Sequence, residues 1–278
     1  MNHDLLLSFE FIKNHPTDAA HVLEQLKPEE TASFLKQASP SSAVGVIRLM
    51  DSILASRCLE VMDSNYSGAI IAELPFEISS LFLRRMEEQH KKSILETLPL
   101  DVSGQLRLIL RYHEGTAGAL MDPKVFIVPE DVTVKEGIKR FRKHPRHLIY
   151  YIYVVNRDYA LVGQINIRDL LLSDPNALIS SVMQRTIKNL SPHLSSQAIL
   201  AHTGWQEFHV LPVVDEKGIF LGAIGYRTIR RLIRDVEERR QASPENTAGK
   251  AMGELYWLGL SGLINWVASA VNPEKEEK

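Results

Sequence analysis

Two stretches of the chain repeat one another at a spacing of 59 residues. Residues 152–156 (IYVVN) recur as 211–215 (LPVVD), and residues 162–165 (VGQI) recur as 221–224 (LGAI). A duplicated unit of about 60 residues is longer than the usual solenoid repeat of about 20–50 residues. We therefore expect each copy to contain its own strands and helices.

A second periodicity precedes this duplication. Residues 15–112 show no strand-like alternation, and apolar residues recur every 24 positions. Three sets follow this spacing: Leu26, Met50, Leu74 and Leu98; Phe34, Cys58, Phe82 and Leu106; Ala38, Met62, Met86 and Leu110. Residues at i, i+8 and i+12 share one face of a helix, and proline favours the first helical turn, as at Pro28. The pattern predicts short helices stacked in a superhelix, with Cys58 in its core.

The sequence pattern changes at the junction formed by residues 113–123, where Gly115, Gly118 and Pro123 interrupt the helical periodicity. Beyond it, strand-like runs alternate with amphipathic helices. The predicted strands are 124–128, 148–155 and 161–167, the predicted helices are 134–143 and one from Arg168, and the order repeats over 187–234. Two halves of similar length, each containing both strands and helices, predict two α+β units packed face to face about a pseudo-twofold axis.

Composition excludes several classes of function. The 278 residues carry a net charge of −2, which supplies no global field for nucleic acid, so we expect no nucleic-acid partner. The single cysteine, Cys58, fits a reducing compartment, and the N-terminus lacks the apolar run of a secretion signal. We therefore predict a cytoplasmic protein. No phosphate-binding loop, nucleophile elbow, dinucleotide fingerprint or familiar zinc spacing occurs, so we predict that the chain is not an enzyme.

Three motifs resemble a known family. They are residues 114–123 (EGTAGALMDP), 149–155 (IYYIYVV) and 211–215 (LPVVD). Together they resemble MgtE-type magnesium transporters, in which a helical intracellular N domain precedes a tandem pair of CBS domains, known as a Bateman module. The resemblance covers about residues 15–240. Such transporters continue into a multi-helix membrane pore, and because this sequence ends at Lys278 we expect it to lack the pore.

The resemblance implies a multidomain fold: an all-α helical-repeat superhelix, an α+β tandem CBS pair and a C-terminal apolar helix. The expected boundaries are 1–112 for the N-domain-like repeat, 113–123 for the junction, 124–178 for the first CBS domain, 179–240 for the second, 241–252 for a linker and 253–278 for the apolar helix with its charged tail.

CBS pairs commonly bind an adenine nucleotide in the cleft between their sheets, and the resemblance implies such a site in the first copy. Asn166 can donate a hydrogen bond there, and Asp169 can accept two from a ribose diol. Ile149, Val154 and Pro212 would line the adenine cleft. A purely structural role for Asp169 is also open, because an acid in the first turn of a helix complements the helix dipole.

The second copy lacks this polar set. Gly225 and Thr228 stand where Asn166 and Asp169 stand in the first copy. We therefore expect at most one nucleotide site in the pair.

In the resembling transporters, acidic residues bind magnesium between domains, because hard cations need clustered oxygen ligands. The second copy keeps Asp215 and Glu216, which are the candidate Mg²⁺ ligands. Lys217 and Arg227 stand near them in the sequence and would oppose a divalent cation. Magnesium binding through the family's geometry is thus weakened.

Residues 255–271, which begin with Leu255 and end with Val271, contain no charge. Seventeen residues are at the lower limit for crossing a bilayer, and Trp257 and Trp266 suit an interfacial helix or an apolar groove on a protein. Docking on a protein, peripheral membrane contact and spanning the membrane all stay open. The polar, proline-containing stretch before it predicts a linker.

The sequence as a whole predicts a regulatory protein that binds an adenine nucleotide or a divalent cation, forms a homodimer through its CBS domains and signals to an unknown protein partner. The alternative is a structural adaptor with empty CBS clefts that binds a protein or membrane through its helical domain or tail.

Overall fold

The computed structural model describes residues 3–143 and 151–241. The first part of the chain is helical, as the sequence predicts. Its helices are α1 (His3–Asn14), α2 (Pro16–Leu23), α3 (Pro28–Leu35), α4 (Pro40–Ile47), α5 (Ser52–Val61), α6 (Ser64–Glu73), α7 (Phe76–Arg85), α8 (Glu88–Thr97) and α9 (Leu100–Leu110).

Helices α2 to α9 form a regular repeat in which each helix begins 12 residues after the preceding one, from Pro16 to Leu100. Each helix packs on the second helix along the chain, so that α2, α4, α6 and α8 form one row and α3, α5, α7 and α9 form another. Neighbours within a row are therefore 24 residues apart. This arrangement explains the period seen in the sequence and confirms the prediction of a helical-repeat superhelix.

One detail of the helical prediction is wrong. The pattern predicts Leu26, Phe34 and Ala38 on one helix, but Leu26 follows the end of α2, Phe34 lies in α3 and Ala38 follows the end of α3. Helices α2 to α9 contain only 8 to 11 residues, which is too short to hold positions i and i+12. The spacing of 12 instead relates equivalent positions of successive helices.

A buried small residue lies near the start of most of these helices, and several of them link their helix to the one before. Four of these residues carry a hydroxyl that donates to the carbonyl oxygen eight residues earlier: Thr31 to Leu23 (2.9 Å), Ser67 to Leu59 (2.7 Å), Ser79 to Ile71 (2.9 Å) and Ser103 to Leu95 (2.8 Å). The accepting carbonyls belong to the last turns of their helices, where no intrahelical donor is available. These hydroxyls therefore satisfy helix ends that the superhelix buries.

The core prediction for Cys58 is confirmed. Its side chain is only 2% exposed within the helical core. Burial, assisted by the nearby negative charge of Glu29, raises the pKa of the thiol to about 11. The thiol is therefore protonated at neutral pH, which makes it a poor nucleophile.

The second part of the chain holds the duplicated units. Its elements are α10 (Ala117–Leu120), β1 (Ile127–Pro129), α11 (Val134–Arg142), β2 (Tyr151–Val155), β3 (Leu161–Asn166), α12 (Ile167–Leu172), α13 (Ile179–Val182), α14 (Ser196–Leu200), the 3₁₀ helix η1 (Thr203–Gln206), β4 (Val210–Val214), β5 (Phe220–Gly225) and α15 (Tyr226–Gln241). The chain divides into two units, Met1–Tyr226 and Arg227–Lys278, so nearly all of α15 belongs to the second.

The two copies form two similar sheets. In the first, β1 pairs in parallel with β2, and β2 pairs antiparallel with β3. In the second, β4 and β5 pair antiparallel, and Leu190 bridges in parallel to Val213 at the place that β1 takes in the first. The prediction of two α+β units is confirmed.

The segments before each copy are exchanged between the sheets. Asp122, which precedes the first copy, forms two backbone hydrogen bonds with Ala223 of β5, whereas Gln184, which precedes the second copy, forms two with Gln164 of β3. A Cβ at Gly222 would lie 2.6 Å from the Asp122 carbonyl oxygen. Gly222 is thus required where the junction crosses the second sheet.

Candidate functional site

The two β-hairpins meet at their turns through backbone contacts. Leu161 N–H donates to Gly218 O and Phe220 N–H donates to Tyr159 O, both at 2.9 Å. Leu161 and Phe220, like Tyr159 and Gly218, are 59 residues apart, so the contact is reciprocal. This arrangement is the predicted pseudo-twofold relationship, and it brings one face of each sheet towards the other hairpin.

The inter-sheet face of the first sheet follows from strand alternation. Tyr153 is paired with Gln164 and Tyr151 with Asn166 across β2 and β3, so these four side chains share one face. Tyr153 contacts the second hairpin: its hydroxyl donates to Val210 O at 3.3 Å. The neighbouring residues of β2 and β3 point to the opposite face.

The equivalent positions of the second sheet are smaller. Val210, Pro212, Ala223 and Gly225 occupy the places of Tyr151, Tyr153, Gln164 and Asn166. The inter-sheet faces thus differ, because one carries two phenols and two amides and the other carries neither. Sequence reasoning singled out Asn166 but missed Tyr151, Tyr153 and Gln164. The alternation of Tyr with Ile and Val over residues 151–155 was the signal that could have found them.

Aromatic packing fixes this face. The Tyr153 ring centroid lies 5.1 Å from that of Phe220, and the Tyr151 ring meets Phe208 edge-on at 5.8 Å. Tyr153 is fully buried, and that burial raises the pKa of its phenol far above the ordinary value. The inner end of the face is therefore closed by Tyr153, while Tyr151 and Asn166 at its outer end are half-buried.

The two polar candidates lie at the start of α12. Asn166 is the N-cap, and its Oδ1 accepts a hydrogen bond from the Arg168 backbone N–H at 2.7 Å. Asp169 is exposed in the first turn of the same helix. The structure therefore brings the two residues together, and each also has a local role in starting the helix.

The apolar candidates are not all on one face. Val154 is fully buried in the core cluster with Val128 and Ile165, on the side of β2 away from Tyr153, so its side chain does not border the space between the sheets. Pro212 is buried on the inter-sheet side of β4. Ile149 lies outside the described residues.

The candidate Mg²⁺ ligands stand in the turn between β4 and β5. Asp215 Oδ1 accepts hydrogen bonds from the backbone N–H groups of Lys217 (2.9 Å) and Ile219 (2.8 Å), while Glu216 is exposed. Asn156 makes the same two contacts in the first copy. Over residues 3–143 and 151–241 there is no group of three His, Cys, Asp or Glu side chains placed to hold a metal ion. The contacts of Asp215 therefore explain this residue as a turn former.

A separate cavity of about 360 Å³ lies at the ends of β1 and β2, lined by Glu130, Asp131, Asn156, Arg157, Asp158, Leu178 and Ser180. Arg157 pairs with Asp131 at 3.2 Å. The cavity is thus of mixed charge.

The helical repeat is connected to the second sheet through the junction. The Tyr112 ring packs on Gly118, where a Cβ would collide with it, and meets His193 at 5.6 Å. The backbone N–H groups of Ala117 and Gly118 donate to Leu194 O (2.9 Å) and Pro192 O (2.8 Å). The junction therefore joins the end of the helical repeat to residues 192–194, which precede β4.

Two protein families match the chain. Residues 14–115 match the MgtE intracellular N domain, and residues 117–175 match the CBS domain. The magnesium transporter MgtE of Thermus thermophilus is 28% identical over 144 residues, which are 51% of this chain and 32% of that protein. MgtE of Bacillus subtilis is 20% identical over 221 residues, 74% of this chain and 49% of that protein. The chain thus spans a third to a half of the length of these relatives.

Two solved structures share the fold. One is the cytosolic domain of the Mg²⁺ channel MgtE in complex with ATP, with a TM-score of 0.55 and 23% identity over 77% of this chain and 93% of that one. The other is the soluble part of a magnesium transporter, with a TM-score of 0.59 and 20% identity over 83% of this chain and 97% of that one.

Among the residues that the structure describes, no helix has both the length and the apolar character needed to cross a bilayer. Residues 255–271 lie outside the described residues, as do the rest of the predicted C-terminal helix and nearly all of the predicted linker.

Proposed function

Because this chain is homologous to the cytosolic part of MgtE-type magnesium transporters, with an MgtE intracellular N domain followed by a CBS pair, we propose that it is a non-catalytic regulatory protein. Its CBS pair binds one adenine nucleotide per chain and signals to a protein partner whether the nucleotide is bound. This signal contributes to magnesium homeostasis. We also propose a cytosolic location and a homodimer formed through the CBS pair.

The proposal of a single site rests on the difference between the side chains of the two inter-sheet faces. Asn166 and Asp169 start α12 at the accessible end of the first face, where the amide of Asn166 would donate to ribose or phosphate and the carboxylate of Asp169 would accept from the ribose diol. Pro212 would contact the base from the second sheet. The second copy has glycine and threonine in place of these polar groups. The ATP complex of the MgtE cytosolic domain supports adenine nucleotide as the class of ligand.

The junction supplies a route for the signal. A nucleotide held between the sheets would favour one spacing of the two hairpins, and a ligand shifts such an equilibrium only by its difference in affinity for the two states. The second sheet is hydrogen-bonded to Asp122, and the junction continues to Tyr112 at the end of the helical repeat. The N domain would therefore change its placement when the nucleotide binds.

A Mg²⁺ site formed by the protein's side chains alone has weaker support. The carboxylate of Asp215 is already engaged by two backbone N–H groups. Mg²⁺ could reach the site as the counter-ion of ATP, because phosphates supply the oxygen ligands that this cation prefers.

Calorimetric titration with ATP, ADP and AMP tests the proposal. We expect saturable heat with at least one of them and at least a tenfold loss of affinity in Asp169→Ala, since a carboxylate that accepts two ribose hydrogen bonds is lost. Asp158→Ala is the matched control, because it removes an exposed acid of the same copy outside the inter-sheet face. No heat with any nucleotide would refute the proposal, as would equal affinity in both variants.

A structural adaptor is the second candidate, and the N-terminal end of the superhelix favours it. Val22 and Leu26 are 55% and 43% exposed, whereas the equivalent Val46 and Met50, two helices later, are 0% and 6% exposed. A partner could cover this apolar end. The adaptor predicts that Val22→Ser with Leu26→Ser abolishes partner binding and that saturating ATP has no effect on it.

A further inference from the structure

Gln164 is an unusual residue for the centre of a β-strand. It is 1% exposed, and its Nε2 is buried without a hydrogen-bond partner within the described part of the chain. A buried donor without a partner has lost its hydration and gained nothing in return. Such a group needs an explanation, and a ligand that supplies the missing acceptor is one.

The location of Gln164 fits a ligand that enters from the outer end of the face. Gln164 is paired across the strands with the buried Tyr153, and Asn166 follows two residues later on the same face. Two residues of a strand span roughly 7 Å, which is close to the distance from the ribose of a nucleoside to the far edge of its base. A nucleotide whose sugar lies at Asn166 would therefore bring its base edge to Gln164.

We infer that Gln164 is a specificity-determining residue that reads the edge of an adenine base between the two sheets. This inference rests on the proposed function and adds the source of its selectivity. The carboxamide pairs with the N6/N7 edge of adenine through two hydrogen bonds: its N–H₂ donates to N7, and its oxygen accepts from the exocyclic amine. Guanine presents an oxygen where adenine has the amine, so the carboxamide oxygen would face another acceptor.

The second copy offers an internal comparison. Ala223 stands at the equivalent place, and alanine can neither donate nor accept through its side chain. The asymmetry of the pair thus extends to base recognition.

A titration of the full-length chain with ATP and GTP tests the inference. The variants are Gln164→Leu, which keeps most of the volume, and Gln164→Ala, which copies Ala223. We expect the wild type to prefer ATP by about 5- to 150-fold, the range of discrimination that a two-bond contact gives, and both variants to bind the two nucleotides within about threefold of each other. Gln184→Leu, an exposed change in the segment paired with Gln164, is the control and should keep the preference.

Thermal unfolding without nucleotide separates this role from a structural one. Gln164→Leu removes an unpaired buried donor. Its melting temperature should therefore equal that of the wild type or exceed it by about 2 °C or more. A melting temperature lowered by several degrees would overturn the inference, because it would show that the amide stabilises the fold. Retained ATP preference in both variants would overturn it too, while the proposed function would stand. Wild type that binds neither nucleotide would refute both.

Discussion

Ala160 and Ile219 form an antiparallel backbone bridge between the turns of the two hairpins. They are equivalent residues of the two copies, so the bridge lies on the pseudo-twofold axis, and the reciprocal hydrogen bonds of the turns flank it on both sides. Backbone contacts of this kind do not depend on side-chain identity. The two copies have therefore kept one fold while their inter-sheet faces diverged.

The turns at this bridge predict a backbone effect on stability. Gly218 has φ +78°, and an added Cβ would meet nothing within 4 Å, so Gly218→Ala should lower the free energy of unfolding through the backbone alone, by about 1 kcal/mol. Gly45→Ala, inside α4 and equally uncrowded, should raise it by about 0.5–1 kcal/mol. Urea titration measures both, and effects of the same sign would contradict the prediction.

The exchanged junction predicts unequal roles for two equivalent glycines. In Gly222→Ala, the new methyl group would press on the Asp122 backbone, which cannot move without loss of its pairing to β5. We expect a loss of about 2–3 kcal/mol, at the upper end of overpacking costs. In Gly163→Ala, the methyl group meets the flexible side chain of Met183, and the loss should be about 1 kcal/mol. Urea titration of the two variants in parallel decides, and the reverse order would show that the junction tolerates the shift.

The hydroxyls that link successive helices predict a third effect. Ser67→Ala removes the hydrogen bond to Leu59 O and leaves that buried carbonyl without its donor, so the free energy of unfolding should fall by about 1–2 kcal/mol. Ser93→Ala is the control, since its hydroxyl bonds to Gln89 O within one accessible helix. We expect a change below about 0.5 kcal/mol there. Equal losses in the two variants would mean that the linking hydroxyls add nothing specific.

The raised pKa of Cys58 predicts a pH dependence in the alkaline range. The unfolded thiol ionises near its ordinary pKa of 9.0, and the folded thiol ionises at about 11. Between these values the unfolded chain binds fewer protons, so stability falls as pH rises. The stability of wild type relative to Cys58→Val should be constant below about pH 8 and should decrease between pH 9 and 11. Urea titrations across this range test it, and a difference that does not change with pH would contradict the burial of the thiol.

Local patterns sufficed for much of the fold. The hairpins, the change of texture after Tyr112 and the apolar core of the helices all follow from periodicity and turn residues. The sequence shows the 24-residue period more clearly than the 12-residue period, because helices of the same row have more similar residues. Leu26, for example, corresponds to Met50, which lies 24 residues later. The exchange of Asp122 and Gln184 between sheets could not be predicted, because each pairing is non-local.

For the candidate site, the resemblance to CBS pairs singled out Asn166 and Asp169, and the structure places both at the start of α12. Their roles in nucleotide binding stay a prediction. Gln164 was missed because a glutamine within a strand is usually solvent-exposed, and the sequence pattern does not show which face of the strand the second unit covers. Val154 was expected at the cleft, yet it alternates with Tyr153 and so belongs to the core on the other side of β2.

The decisive property of the proposed site is the number of nucleotides that each chain binds. Native mass spectrometry of the intact protein, titrated with ATP at constant Mg²⁺, counts bound molecules. The unequal faces predict saturation at one ATP per chain, hence two per homodimer, with Asp169→Ala shifted to higher concentration. Saturation at two per chain, or no bound ATP at any concentration, would contradict a single nucleotide site per chain.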